Sequence, residues 1–318
     1  MFEKIIEMIN SAGRIGLFAH INPDGDALGS MYSLKNVLHS MGKRGEVFMC
    51  GNAETSISEL ICDGDAAKCA PEDCDMLIAL DSSDIDRLGI WKDAFAAHPN
   101  TAAIDHHITH IKYAKEEAVE DISSNCELLY KMYKQMEAEI SEKTATDLYI
   151  GIATDTGSFK YSSVTADTHR TAAELIEKGA EFDYVSKRIF DTHTREYLDI
   201  LQLAISRLKF FQSGRIAYLY LDSEDFKRCG IEEADANAVV SLPGSVYGVE
   251  ASVYIRRRGE NEYKVSLRSS GKVDVAEIAL GFGGGGHVRA AGFSLDRVNF
   301  NDNIDKLISK ISEQLECI

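Results

Sequence analysis

Short apolar runs alternate with longer segments of helical spacing in the first half of the chain. Ile15 to Ala19, Met76 to Leu80 and Thr101 to Ile104 are largely apolar runs, and Leu28 to Met41 repeats apolar residues at helical spacing. Uninterrupted apolar strands are typical of a parallel sheet that helices cover on both faces. The pattern predicts an α/β fold whose N-terminal domain is a doubly wound, mainly parallel sheet.

The pattern changes after Gly214. Arg215 to Leu221, Val249 to Arg257 and Glu262 to Ser269 alternate in polarity or are rich in β-formers, and Asn301 to Leu315 has the spacing of a closing helix. These segments predict a second, smaller α/β domain at the C-terminus.

The domain boundaries follow from length and from one charged segment. A chain of 318 residues with 45% apolar content exceeds what one core usually fills. Phe182 to Leu208 is helical in spacing and lacks strand signals, so it is the candidate connector. We expect domain one over residues 1–185, a helical connector over 186–211 and domain two over 212–318.

Composition narrows the class of protein. The net charge of −17 argues against a duplex DNA partner, because non-specific affinity for nucleic acid comes from phosphate neutralisation by Lys and Arg. No apolar stretch approaches the ~20 residues that cross a bilayer, so no membrane partner is expected. The seven cysteines lack the spacing of a zinc site. These features favour a cytoplasmic protein with reduced thiols.

Candidate chemistry begins in the loop after the first predicted strand. The sequence His20-Ile-Asn-Pro-Asp24-Gly-Asp26 places one imidazole and two carboxylates in a Pro/Gly turn ahead of a helix. Imidazole beside carboxylate oxygen suits a divalent first-row metal such as manganese. Taken alone, the loop is equally consistent with a turn and a helix cap.

Further candidate ligands follow the next two predicted strands. Asp81 closes one apolar run, Asp105, His106 and His107 close the next, and Asp155 ends a predicted helix. Each could be a turn former or cap on its own. Together they would gather at one sheet edge, where that many carboxylates repel unless cations neutralise them. The set predicts a site for two divalent ions that bind phosphate oxygens and activate water.

These residues carry a family resemblance. The order His20-x-x-x-Asp24-x-Asp26, Asp81-Ser-Ser-Asp84, Asp105-His106-His107 and Gly151-Ile-Ala-Thr-Asp155 resembles the four motifs of the DHH phosphoesterase superfamily. The segments Val265-Ser-Leu-Arg268 and Gly281-Phe-Gly-Gly-Gly-Gly-His287 resemble the DHH-associated domain. The combination is similar to the branch of bifunctional oligoribonucleases that also dephosphorylate 3′-phosphoadenosine 5′-phosphate.

The resemblance implies a role for each motif residue. One ion would be held by His20, Asp24 and Asp81, and the other by Asp26, Asp81, His106 and Asp155. His107, Asp105 and Asp81 would be catalytic, with His107 facing the substrate phosphate and Asp105 orienting the histidine pair. The family prefers manganese, and magnesium or cobalt could replace it.

The second domain is expected to bind substrate. A glycine run can be a flexible linker, but glycine backbone can also approach a ligand closely and present N–H groups to an anion. Substrate-binding residues would be Arg268, Gly284, Gly285, Gly286 and His287. One position departs from the family pattern, because His110 stands where many relatives have asparagine. Its role is left open, and it is placed outside the metal set.

The function implied is hydrolysis of very short RNA to 5′-mononucleotides and dephosphorylation of 3′-phosphoadenosine 5′-phosphate by water activated on two metal ions. The expected partners are short single-stranded RNA and small phosphoadenosine nucleotides, and a homodimer is allowed for. The alternatives are a linear or cyclic dinucleotide phosphodiesterase and a nucleotide-binding regulator without catalysis. A pyrophosphatase would lack the glycine segment, and a RecJ-like exonuclease usually carries further domains.

Overall fold

A computed structural model describes residues 1–62, 67–232, 234–258, 262–296 and 300–316. The chain divides into two compact units, Met1–Thr192 and His193–Ile318, called below the N-terminal unit and the C-terminal unit. The division into residues 1–185, 186–211 and 212–318 stays a prediction. In the part of the chain that the structure describes, no helix has both the length and the apolarity of a membrane span.

Strands and helices alternate along most of the N-terminal unit. Its strands are β1 Arg14–Phe18, β2 Arg44–Phe48, β3 Met76–Leu80, β4 Thr101–Asp105 and β5 Glu116–Val119. Its helices are α1 Glu3–Ser11, α2 Gly25–Ser40, α3 Thr55–Ile61, α4 Lys92–Ala97, α5 Asn125–Gln135, α6 Glu142–Asp155, α7 Ala166–Glu177 and α8 Phe182–Ser186. Short 3₁₀ segments, Pro71–Asp73 and Ile85–Trp91, flank β3, and a π-helical turn, Lys187–Asp191, follows α8.

The five strands form one sheet in the order β2-β1-β3-β4-β5, and every pairing is parallel. The predicted parallel sheet is confirmed. β1 pairs with β2 on one side and with β3 on the other. The order in which successive strands are added to the sheet therefore changes direction between β1 and β3. Open α/β sheets bind ligands beyond the carboxyl ends of the strands at such a switch point.

Side chains of the three central strands, β1, β3 and β4, are buried on both faces, which explains the uninterrupted apolar runs. On β1, Ile15 and Leu17 belong to the core shared with α1, α2, α5 and α6. Phe18 points to the other face, where it stacks on Phe48 with ring centroids 4.8 Å apart and meets Phe95 edge-on. Successive side chains of a strand point to opposite faces, so a strand between two helical layers needs apolar residues at every position.

The C-terminal unit is a mixed sheet with helices. Its strands are β6 Lys209–Phe211, β7 Ile216–Leu221, β8 Ala251–Arg258, β9 Glu262–Ser269, β10 Gly285–His287 and β11 Ala290–Asp296. Its helices are α9 Arg195–Arg207, α10 Ser223–Cys229, α11 Val275–Leu280 and α12 Phe300–Glu316, with 3₁₀ segments at Gln212–Gly214 and Ala234–Ser245. The strand order is β10-β11-β9-β8-β7-β6, in which only the β7–β8 pairing among the described strands is parallel. The prediction of a second α/β domain is confirmed.

Candidate metal centre

The carboxyl ends of β1, β3 and β4 bring the predicted ligands to one edge of the sheet. His20 lies in the loop after β1, Asp81 directly follows β3, and His106 directly follows β4. Asp24 is the N-cap of α2, and Asp155 is the last residue of α6. The structure therefore gathers side chains from four separate segments of the sequence.

Asp81 lies at the middle of this group. Its Oδ2 is 3.6 Å from His20 Nε2, and its Oδ1 is 3.3 Å from His106 Nε2. Asp24 Oδ2 lies 3.7 Å from the same His20 nitrogen, and Asp155 Oδ2 lies 3.6 Å from the same His106 nitrogen. The two carboxylate oxygens of Asp81 thus face two separate clusters of ligand atoms.

Backbone carbonyls fix the orientation of both histidines. His20 Nδ1 is 3.0 Å from the carbonyl oxygen of Ile21, and His106 Nδ1 is 3.1 Å from that of Ile122. A carbonyl oxygen only accepts, so Nδ1 carries a proton in each ring. Nε2 is therefore the nitrogen that each imidazole presents to Asp81, as expected when a second hydrogen bond fixes the tautomer of a metal-binding histidine.

The amino end of α5 positions Asp26. Asn125 N–H donates to Asp26 Oδ2 at 2.6 Å, and Cys126 N–H donates to Asp26 Oδ1 at 2.9 Å. A helix N-terminus has unpaired N–H groups and favours a negative charge. These bonds hold the buried Asp26 carboxylate 3.8 Å from His106 Nε2.

Close packing of α2 against α6 leaves no room for a side chain near Asp26. A Cβ atom added at Gly151 would lie 2.2 Å from Cys126 Sγ and 2.8 Å from Asp26 Oδ1. A Cβ atom at Gly29 would lie 2.5 Å from the carbonyl oxygen of Asp147. Glycine at both positions lets the two helices approach, and so brings Asp26 and Asp155 to one place.

The donor set fits divalent metal ions. His20, Asp24 and Asp81 offer three ligand atoms within 4.8 Å of one another, and Asp26, His106 and Asp155 offer a second such trio. Asp81 Oδ1 is buried and, among the described residues, accepts no hydrogen bond. A buried acceptor left in this state is costly unless a cation meets it. Carboxylate oxygen with imidazole nitrogen is a donor set for first-row divalent ions.

The protonation of the metal-free cluster reflects its crowding. Burial lowers the pKa of His20, but hydrogen bonds with Asp24 and Asp81 outweigh burial and raise it to about 10. Burial likewise opposes the charge of His106, whose carboxylate neighbours raise its pKa to about 11. For Asp81, burial is outweighed by the proximity of the same two histidines, and its pKa lies well below its usual range.

The two remaining buried carboxyls shift the other way. Burial, followed by the charge of Asp81, raises the pKa of Asp26 to about 7. Burial, followed by the charge of Asp26, raises the pKa of Asp155 to about 8. Carboxylates this close cannot all ionise at neutral pH without a cation, as the sequence predicted.

Asp105 connects the cluster to a residue outside the predicted metal set. Its carboxylate is fully buried, with Oδ1 2.7 Å from His107 Nδ1 and Oδ2 2.7 Å from His110 Nδ1. Burial alone would raise the pKa of Asp105, but these hydrogen bonds hold it below its usual value. The His110 side chain is only 6% exposed, and its Nε2 lies 3.5 Å from Glu117 Oε2.

His110 is therefore the site residue that sequence reasoning missed. The motif pattern marked it as a departure without giving it a partner. Its backbone N–H donates to the carbonyl oxygen of His107 at 3.1 Å, so a tight turn returns it to Asp105. The available signal in the sequence was that His110 stands three positions after His107, the separation that a tight turn brings together.

The predicted substrate-binding residues lie on the β9–β10–β11 side of the C-terminal sheet. Arg268, near the end of β9, is exposed and pairs in register with Ala290 of β11. Gly285 to His287 form the edge strand β10, antiparallel to β11. The two strands are joined by a two-residue turn, and their close contact favours small residues.

Two family models match the chain. The DHH family, N-terminal domain matches residues 14–152, and the DHHA1 domain matches residues 213–316. The chain therefore belongs to the DHH family of phosphoesterases, and it combines a DHH domain with a DHHA1 domain.

Similar proteins have been described in several bacteria. The bifunctional oligoribonuclease and PAP phosphatase NrnA of Thermus thermophilus is 29% identical over 308 residues, which cover 95% of this chain and 90% of the relative. The protein of the same name from Bacillus subtilis is 26% identical over 302 residues, which cover 93% of this chain and 93% of the relative. An exopolyphosphatase-related protein from Bacteroides fragilis has a similar structure, with a TM-score of 0.86 and 26% identity over 99% of this chain and 95% of that one.

Proposed function

We propose that the protein hydrolyses very short RNA to 5′-mononucleotides and removes the 3′-phosphate of 3′-phosphoadenosine 5′-phosphate. The observation that carries the proposal is the cluster of six ligand residues around Asp81, at the switch point of a parallel sheet. Relatives named for both activities match this chain over nearly their full length, which supports the choice of substrates.

Two divalent ions, preferably manganese, would be held by this cluster. His20, Asp24 and Asp81 would hold one ion, and Asp26, Asp81, His106 and Asp155 would hold the other. Asp81 would bridge them, since its two oxygens face the two trios. When bound, such ions lower the pKa of a coordinated water and offset the negative charge of the phosphate.

His107 is suited to meet the phosphate. Its side chain is 34% exposed, which is more than those of His20 and His106. Its Nδ1 is held by Asp105, so Nε2 is the nitrogen that can donate to a phosphate oxygen. The hydrogen bond with Asp105 also raises the pKa of His107, which favours the proton-bearing form. In this scheme Asp105 orients His107 and stabilises its positive charge.

The C-terminal unit would bind the nucleotide and take no part in the chemistry. Arg268 offers a guanidinium, and Gly284, Gly285, Gly286 and His287 offer backbone N–H groups and one imidazole. A chain of net charge −17 repels phosphate on average, so binding of a nucleotide requires a local cation such as the Arg268 guanidinium. Arg268→Ala should then raise KM on nucleotide substrates and leave kcat nearly unchanged.

A hydrolysis panel with manganese tests the proposal. The substrates are pyrophosphate, 3′-phosphoadenosine 5′-phosphate, linear and cyclic diadenylate, and RNA of increasing length. We expect turnover of the phosphoadenosine nucleotide and of short RNA. Turnover of pyrophosphate alone would identify a pyrophosphatase, turnover of dinucleotides alone a dinucleotide phosphodiesterase, and binding without turnover a regulator.

RNA length gives the panel a second criterion. The acidic surface outside the site should repel additional phosphates, so efficiency should fall for longer RNA at physiological salt. The family resemblance gives the expected optimum, about two to five nucleotides. A steady rise out to about twenty nucleotides would contradict the short-substrate proposal, because it requires the basic groove of a processive exonuclease.

A further inference from the structure

The turn that follows Asp155, a residue of the candidate metal centre, carries an exposed aromatic ring, that of Tyr161. Asp155 ends α6, and the next residues curl back on themselves. Lys160 N–H and Tyr161 N–H both donate to the carbonyl oxygen of Thr156, at 2.9 and 3.1 Å. Thr156 directly follows Asp155 in sequence, so these bonds place the backbone of Tyr161 next to the end of the candidate metal site.

The backbone of this turn is strained and firmly held. Gly157, Ser158 and Phe159 have φ values of +56°, +59° and +62°, a left-handed conformation that serine and phenylalanine rarely adopt. Ser158 N–H donates to the carbonyl oxygen of Ala153 at 2.7 Å, and Phe159 N–H donates to Thr156 Oγ1 at 3.0 Å. Strain of this kind persists where surrounding contacts enforce it, and it concentrates at ligand sites.

The ring of Tyr161 lies with one face on Gly157. A Cβ atom added at Gly157 would lie 2.4, 2.6 and 2.9 Å from the ring atoms Cζ, Cε1 and Cε2. A point nearly equidistant from three adjacent ring atoms lies above the plane of the ring. Glycine therefore leaves space for the ring of Tyr161, and a Cβ atom at position 157 would clash with the ring in this arrangement.

The other face of the ring is open to solvent. Tyr161 is 60% exposed, whereas Phe159, two residues earlier, stacks on His169 and contacts the ring of Tyr149. Core packing accounts for Phe159 but not for Tyr161. The neighbouring Lys160 is exposed and forms no ion pair within the described residues. An open aromatic face is complementary to the face of a nucleobase, and a lysine in the same turn adds a positive charge that favours a phosphate.

From this geometry we infer that Tyr161 is the stacking platform for a nucleobase of the substrate. The inference rests on the proposed function, because it names how the same site recognises a nucleotide. Stacking on an aromatic ring tolerates any base, which suits an enzyme that degrades short RNA of mixed sequence. The ring holds the base, and the phosphate remains at the metal centre.

Binding measurements separate this inference from the proposed hydrolysis. Titrations of 5′-AMP and of ribose 5-phosphate, recorded with manganese present, compare ligands that differ by the base. Wild-type protein should bind 5′-AMP more tightly. Tyr161→Leu should weaken 5′-AMP binding by about 5- to 150-fold, the range that base stacking gives, and leave ribose 5-phosphate binding unchanged. Tyr161→Phe, which keeps the ring, should bind both ligands like the wild type.

Tyr184→Leu is the matched control, because Tyr184 belongs to the same unit and is 53% exposed. It should bind both ligands like the wild type. The inference is overturned if Tyr161→Leu binds 5′-AMP normally, if it loses both ligands equally, or if the wild type does not distinguish them. Failure of wild-type protein to hydrolyse short RNA would instead contradict the proposed function and leave the 5′-AMP comparison intact.

Discussion

Asp81 is the residue whose charge the candidate metal centre most depends on. Its side chain is 3% exposed, and its φ of +53° turns the carboxylate into the cluster at the end of β3. Asp81→Asn keeps the shape and removes the charge that would bridge two ions. We expect loss of bound manganese and a fall in hydrolysis larger than the about 10- to 100-fold that loss of an outer ligand partner costs. Metal analysis after dialysis and initial rates measure both effects.

Asp86 provides the control for charge in the same loop. It is exposed, and its ion pair is with Lys92 at 3.1 Å. Asp86→Asn should keep wild-type metal content and rate. If Asp81→Asn behaved like this control, Asp81 would not be a metal ligand.

His110 tests how far the site extends beyond the metal ligands. Removal of its imidazole leaves Asp105 Oδ2 without the 2.7 Å partner that opposes His107. His110→Ala should therefore let Asp105 rotate and lower kcat by about 10- to 100-fold, with a smaller change in KM. Steady-state kinetics on linear diadenylate measure this separation.

His110→Asn is the informative companion, since an asparagine side chain also donates a hydrogen bond. It should retain more activity than His110→Ala. Equal kcat values for His110→Ala and wild type would show that Asp105 holds His107 unaided.

At the scale of elements, the adjacent residues Gly284 and Gly285 allow the role of packing to be tested separately from the role of substrate binding. A Cβ atom at Gly284 would lie 2.2 Å from the carbonyl oxygen of Gly292 and 2.4 Å from Phe293 Cβ. Gly284→Ala should cost about 1–3 kcal/mol in the free energy of unfolding, as overpacking does. A Cβ atom at Gly285 meets no described atom within 4 Å, so Gly285→Ala should leave thermal stability unchanged or slightly higher.

The kinetic effect of Gly285→Ala then reports on substrate alone. If the nucleotide approaches the backbone of β10, the added methyl group should raise KM several-fold with little change in kcat. Thermal melts establish that the variant folds, and kinetics on short RNA follow. An unchanged KM would remove Gly285 from the substrate-binding residues.

The strand ends were predictable from sequence, and their partners were not. The apolar runs that end before His20, Asp81 and Asp105 are parallel strands buried on both faces. Each of these residues stands at the carboxyl end of its run, so the sequence alone places all three at the same edge of the sheet. The turn that returns His110 to Asp105 and the pairing of the glycine run with β11 depend on contacts between distant segments. Periodicity within one segment carries no information on such contacts.

At the scale of the whole molecule, proton binding and folding are linked through the metal centre. In the metal-free protein, the folded-state pKa values of Asp26 and Asp155 are raised to about 7 and 8, and those of His20 and His106 to about 10 and 11. All four shifts have the same sign. The folded state holds these protons more tightly than the unfolded state does, so stability from these groups is present at low pH and falls as pH rises.

We therefore expect the free energy of unfolding of the chelator-treated protein to decrease from about pH 4, where the unfolded carboxyls ionise, to about pH 8, where folded Asp155 ionises. The two histidines add to this decrease above about pH 6.5, where they lose their protons in the unfolded state. Manganese competes with these protons, so the loaded protein should be more stable and its advantage should grow with pH. Denaturant titrations with and without manganese measure both trends. A metal-free protein that becomes more stable across this window would contradict the assigned pKa shifts.

The most direct test of a two-ion hydrolytic site is a manganese titration of the metal-free protein, with the rate of linear diadenylate hydrolysis recorded at each addition. The geometry around Asp81 predicts no hydrolysis without metal and a rate that levels off at about two ions per chain. Hydrolysis at the full rate in the chelated protein, or a plateau reached at one ion, would contradict it.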